Sequence, residues 1–141
     1  MQIKTLTPNL MVGNVAEAVM YYTQNLGFQM IDSVPANPPY DWAMVSVEGV
    51  ALMFQAEASI KAEFAPLQNQ NLGGGLSFYV RVEGVKEWYE RLKEKVTIVN
   101  ELHESSYGMT EFSIQDLNGF ILTFAENLNP PAPEPPQTHN V

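Results

Sequence analysis

The sequence predicts an α+β fold: two tandem βαβββ modules whose curved mixed sheet makes a cup, with the helices on its outer face. Three observations predict it. A complete helix signal recurs after a shift of 70 positions, a strand precedes each copy of that helix, and three extended segments follow each copy.

The first helix is expected over residues 14–27. Asn14 can cap the free amides of the first turn, with Glu17 three positions on as in a capping box. Val15, Ala18, Val19, Tyr22 and Leu26 form one apolar stripe, and Gly27 can take the left-handed conformation that ends a helix. In the second copy Gly84 stands at the cap position and Glu87 three residues on, while Val85, Trp88, Tyr89, Leu92 and Val96 make the stripe. Leu10 and Val12 lead into the first helix as Val80 and Val82 lead into the second.

Extended segments follow at residues 29–34, 42–47 and 50–55, and again at 97–102, 110–115 and 120–124. Glu48 and Gly49 provide a tight turn in the first copy. In the second, the turn runs through Asp116, Leu117, Asn118 and Gly119, where Asp116 can fold its carboxylate back onto turn amides. The organisation predicted is therefore one domain over residues 1–127: module one at about 5–56, a connector at 57–75 with a short helix near 60–64, and module two at 76–125. Gly73, Gly74 and Gly75 run straight into a strand and carry no lysine, which argues for linker flexibility rather than a phosphate cradle. Residues 128–141 form a proline-rich tail, either extended or laid across a partner.

With 16 acidic residues against 7 basic ones, the formal charge of −9 repels phosphate backbones and anionic lipid, so neither nucleic acid nor a membrane is an expected partner. The same field favours cationic small molecules. The absence of cysteine excludes disulfides and thiolate chemistry. No apolar run approaches the roughly 18 residues of a membrane helix, and Met1 to Pro8 lack a basic or apolar leader, so a cytoplasmic location is expected.

Strand alternation separates two faces. Phe78, Val80, Val82, Leu122 and Phe124 should pack beneath the helices, leaving Ser77, Tyr79, Arg81 and Thr123 on the other side with Thr7, Asn9, Met11, Met53 and Gln55. That mixed polar face is the predicted ligand cup. Glu111, Ser113 and Gln115 form a polar row bordering it, although the first hairpin's register, copied onto the second, would turn Phe112 and Ile114 inward instead. Trp42, after Tyr40, and Tyr107 are placed near the rim, where rings can stack on flat or cationic ligands, or else simply seal sheet edges.

The run Thr7-Pro8-Asn9-Leu10-Met11-Val12-Gly13-Asn14-Val15, continuing through Tyr21-Tyr22 to Leu26-Gly27-Phe28, resembles the opening of the glyoxalase, bleomycin-resistance and dioxygenase (vicinal oxygen chelate) superfamily. Residues 112–124 resemble its closing hairpin. The metal-ligand positions implied by that resemblance fall on Thr7, Met53, Ser77 and Thr123, and the separations 7 to 53 and 77 to 123 are both 46. Hydroxyls and a thioether are poor donors for a divalent cation, so no metal and no other cofactor is expected. His103, between Glu101 and Glu104, is read as an ordinary loop histidine rather than a displaced ligand.

The resemblance implies a homodimer that sequesters an aromatic or cationic small molecule without a catalytic residue. The expected ligand-binding residues are Trp42, Met53, Gln55, Ser77, Tyr79, Tyr107, Glu111, Ser113 and Thr123. The alternative is a metal-dependent lyase, isomerase or dioxygenase of the same superfamily. A third reading makes the pocket vestigial and gives the tail the task of recruiting a partner.

Overall fold

A computed structural model describes residues 1–130 and Pro136. The expectations for the remainder of the tail lie outside the described residues. Module one runs β1 (Asn9–Val12), α1 (Val15–Leu26), β2 (Gln29–Val34), β3 (Trp42–Val47) and β4 (Val50–Ala56). A connector follows, with helix α2 (Glu57–Glu63) and a 3-10 turn at Ala65–Leu67. Module two is β5 (Ser77–Arg81), α3 (Val85–Leu92), β6 (Thr97–Glu104), β7 (Thr110–Gln115) and β8 (Ile121–Glu126). The two βαβββ modules are present as predicted. The connector helix begins earlier than expected, directly at the end of β4.

Each module contributes a four-stranded mixed sheet, ordered β1-β4-β3-β2 and β5-β8-β7-β6. The first strand of each module runs parallel to the last, and the other pairs are antiparallel. Asn9 stands opposite Met53 as Tyr79 stands opposite Thr123, so the 70-residue repeat holds at the level of strand register. Register also settles the second hairpin. Phe112 pairs with Phe124 and Ile114 with Leu122 on the helix side, which puts Glu111 and Ser113 on the face of Thr123.

The two helices start differently. At α1 the Asn14 carboxamide oxygen accepts from the Glu17 amide at 2.9 Å, and Gly27 closes the helix at φ 77°, both as the local sequence predicts. At α3 the cap comes from elsewhere: Gly84 has no side chain to offer, and the Glu126 carboxylate accepts from the amides of Gly84 and Val85 at 3.1 Å each. A carboxylate at a helix N-terminus satisfies orphan donors and complements the dipole.

One hydrophobic cluster spans both modules, with Tyr22, Phe54, Leu92, Phe112 and Ile114 each at most 0% exposed. Burial of each such side chain stabilises the fold by about 1.5–3 kcal/mol. Trp88 and Tyr89 pack against this cluster through Phe124 and Phe112, as their helical spacing predicts.

The modules are pinned together at the β7–β8 turn. Asp116 accepts from Tyr22 Oη at 2.6 Å through one carboxylate oxygen, and from the amides of Asn118 at 2.8 Å and Phe120 at 3.0 Å through the other. Asn118 Oδ1 accepts from the Gly13 amide at 3.0 Å. On the other side Gly73, at φ 81°, lies so close to Gly119 that a Cβ would come within 2.7 Å of its carbonyl carbon and oxygen. The expectation of linker flexibility for the glycine run is therefore corrected at Gly73, where a left-handed residue without a side chain is required.

Desolvation, with the Asp116 charge second, pushes the Tyr21 phenol up to about 12 and raises Tyr22 further. A phenol whose ionisation is suppressed on folding contributes stability that is fully present below the unfolded value and lost as pH rises through the folded one. Stability is therefore expected to hold up to about pH 10 and to fall at higher pH. Urea midpoints measured between pH 8 and pH 11.5 check this: Tyr22→Phe should flatten the alkaline decline, and an unchanged decline would assign it to other groups.

Candidate functional site

The face of each sheet turned away from the helices carries a separate polar group. On the second sheet the centre is Glu111, only 8% exposed. Its carboxylate accepts from Tyr79 Oη at 2.9 Å and from Tyr107 Oη at 2.9 and 3.2 Å. Tyr79 reaches it from β5 across β8, on which Ala125 stands opposite both Arg81 and Glu111. Ala125 is fully buried although it shares the face of Thr123. Tyr107 comes from the turn at residues 105–109, closed by the Ser105 amide donating to Met109 O at 2.7 Å and by Gly108 at φ 83°.

Tyr79 and Tyr107 remain 49% and 63% exposed while their hydroxyls are engaged. With Arg81, Met109 and Asn127 they line a shallow recess of about 570 Å³. Desolvation, then hydrogen bonding with Tyr107 and Glu111, holds the Tyr79 phenol above the usual tyrosine range, so it acts as a donor. Beside it Ser113 Oγ and Thr123 Oγ1 share a hydrogen bond of 2.7 Å. Ser77 lies on the same face, exposed, two residues before Tyr79.

On the first sheet the centre is Gln55, also 8% exposed. Its amide oxygen accepts from Asn9 Nδ2 at 2.8 Å, and its Nε2 donates to Ser59 Oγ at 3.0 Å and Glu63 Oε1 at 3.1 Å. Ser59 and Glu63 lie one turn apart on α2, so this helix covers the end of the sheet where Gln55 and Met11 stand side by side. Trp42 is the half-buried cross-strand neighbour of Gln55, and Met44 that of Met53. This half of the surface is thus floored by methionine, a flexible and polarizable side chain, and by the rigid ring of Trp42. Tyr40 packs against the core instead of standing free at the rim.

The nine expected ligand-binding residues fall into two groups. Tyr79, Tyr107, Glu111, Ser113, Thr123 and Ser77 share the second sheet, and Trp42, Met53 and Gln55 share the first. No strand pairing joins the two sheets among the described residues. The four positions implied for metal ligands divide the same way: Thr7 precedes β1 near Met53, while Ser77 and Thr123 sit on β5 and β8. Thr123 is already bonded to Ser113, and the set offers no imidazole or carboxylate, so it does not suit a divalent cation. Among the described residues no three His, Cys, Asp or Glu side chains group so as to hold a metal ion.

Sequence reasoning missed three participants. Ser59 and Glu63 follow from the spacing of four once α2 is placed correctly. His103 is the cross-strand partner of Glu111, with Nε2 at 3.7 Å from Oε1, and two irregularities in the β6–β7 register hid that pairing.

Two βαβββ modules in tandem, each with a four-stranded mixed sheet and a helix packed on one side of it, define the class of fold. The chain belongs to the Glyoxalase/Bleomycin resistance protein/Dioxygenase superfamily, whose family model matches residues 3–124. Similar solved structures include TioX from Micromonospora sp. ML1, 21% identical with a TM-score of 0.71 over 89% of this chain and 99% of that one. A glyoxalase/bleomycin resistance protein/dioxygenase from Nocardioides is 16% identical, with a TM-score of 0.75 over 99% of this chain and 91% of the other. A family enzyme from Burkholderia phytofirmans PsJN is 15% identical, with a TM-score of 0.72 over 86% and 97%. At these identities the likeness is one of fold. No curated protein matches the chain.

Proposed function

We propose that this chain is a non-catalytic member of the superfamily that sequesters an aromatic or cationic small molecule on its concave sheet faces, and that it does so as a homodimer. The observation that carries the reading is the pair of half-exposed tyrosines held in place by the buried Glu111 carboxylate. Aromatic surface fixed in this way can be buried by a ligand without loss of side-chain entropy, which favours binding. The hydroxyl and thioether set at Thr7, Met53, Ser77 and Thr123 argues against metal-assisted chemistry, because it supplies no donor that would hold a Lewis acid.

Dimerisation is supported by the sheet edges. Among the described residues β1 pairs only with β4, and β5 only with β8, so each sheet has an edge strand without a further neighbour there. Joining the edge of β1 to that of β5 in a second copy would set the methionine-rich half beside the tyrosine-rich half. Light scattering should return twice the chain mass. Nucleic acid and membranes are not partners in this reading. No helix among the described residues is long and apolar enough to cross a membrane, and the cytoplasm is the setting proposed.

A thermal-shift screen tests the function. Aromatic and cationic organic compounds should raise the melting temperature by several degrees, with and without chelator, while divalent metals leave it unchanged. Stabilisation by a transition metal that chelator reverses would replace this reading with the metal-dependent enzyme.

A further inference from the structure

Glu111 is a buried carboxylate without a permanent counter-charge. Its bonded partners are the neutral hydroxyls of Tyr79 and Tyr107, and no lysine or arginine lies within ion-pair distance of it among the described residues. Hydroxyls satisfy the lone pairs of a carboxylate but leave its charge unbalanced, and a charge removed from water favours any cation that can reach it. Tyr79 and Tyr107 line the recess next to Glu111, and aromatic rings attract ammonium groups through their quadrupole.

The group best placed to balance Glu111 from within the chain is His103. Its Nδ1 lies 2.7 Å from Glu101 O, a distance that makes Nδ1 the donor to that carbonyl. Nε2 then faces Glu111 Oε1 at 3.7 Å, too far for a hydrogen bond and near enough for an ion pair once the ring is protonated. We propose that Glu111 is the anchor for a ligand's primary ammonium group, walled by Tyr79 and Tyr107, and that protonated His103 competes with the ligand for the same carboxylate. This rests on the small-molecule-binding reading above and names the ligand class: an aryl-alkyl amine, with its ring on the exposed tyrosines.

The other charged groups around the pair set its limits. From β5, Arg81 lines the recess and lies in one cross-strand row with Ala125, Glu111 and His103. It bounds the subsite against a second positive charge on the ligand. From β6, Glu101 and Glu104 flank His103 in sequence. From β8, Glu126 is committed to the amides at the start of α3. Imidazoles as a class change charge between about pH 5 and pH 8, a range in which an alkyl amine stays protonated. The competition therefore has a sign: amine binding is favoured at the upper end of that range and weakened at the lower end.

The test uses the full chain with 2-phenylethylamine and its uncharged counterpart 2-phenylethanol, titrated by NMR at pH 8.0 and pH 5.5. The wild type should bind the amine at least about tenfold more tightly than the alcohol at pH 8.0, and within about twofold of it at pH 5.5. His103→Gln should keep the amine preference at both pH values. Glu111→Gln, close to isosteric, should lose it at both while melting within a few degrees of wild type. Equal affinity for amine and alcohol at pH 8.0, binding of neither, a preference that survives Glu111→Gln, or a pH response that survives His103→Gln overturns the proposal. If other aromatic compounds still bind when the amine is not preferred, the sequestering function stands and only the ammonium subsite falls. Absence of binding by every compound class sinks both.

Discussion

Asp116→Ala is expected to lower the unfolding free energy by about 3 kcal/mol, the largest loss for a single polar side chain in this molecule. The carboxylate accepts from a tyrosine of module one and from two amides of its own turn, and all three donors would be left without their partner in a buried setting. For a domain of this size the loss corresponds to a fall in melting temperature of about 10 °C. Tyr22→Phe removes one of the three bonds and should cost about half as much. Urea unfolding monitored by circular dichroism measures both, and Asp116→Asn serves if the alanine variant does not fold. A loss below about 1 kcal/mol for Asp116→Ala would show that apolar packing alone holds the modules in register.

Gly73→Ala should be nearly as damaging, for a steric reason. The new Cβ would meet the Gly119 carbonyl carbon and oxygen at 2.7 Å and Asn118 O at 3.0 Å, all backbone atoms that cannot rotate away. Adding the cost of a positive φ to that of moving a packed turn gives about 3 kcal/mol. Gly75 is the internal comparison. It also has a positive φ, of 70°, but a Cβ there meets nothing within 4 Å, so Gly75→Ala should cost only about 1 kcal/mol. Thermal melts of the two variants separate the explanations: similar losses would mean that conformation, not the close approach to Gly119, sets the requirement.

Both variants strike the same seam. Tyr22, Gly13 and Gly73 meet the turn at residues 116–119 from different directions, so damage there should be felt by both modules. The seam joins the modules through Tyr22 of α1, while β1 and β5 each end the strand order of their sheet.

Much of this was legible from residue order. Local signals act within a few positions, which is why Asn14, Glu17 and Gly27 marked the ends of α1, and why Asp116 was readable as a turn residue. Alternation separated Tyr79 from Phe78 and Val80. The readings that failed or stayed open involve contacts that no local pattern sets. The role of Gly73 depends on Gly119, the cap of α3 on Glu126, and the pairing of His103 with Glu111 on irregularities in a strand that no pattern announces.

The chain's own order of residues thus determined the repeat, the sides of each strand and the family of folds, because periodicity and capping are properties of neighbours along the backbone. Only the tertiary structure decided that Glu111 is buried under two tyrosine hydroxyls with an imidazole at 3.7 Å, and that Asp116 ties one module to the other. Those outcomes depend on the register between strands and on the docking of α1 against a distant turn. Both are set by how whole surfaces pack, and single residues carry no mark of them.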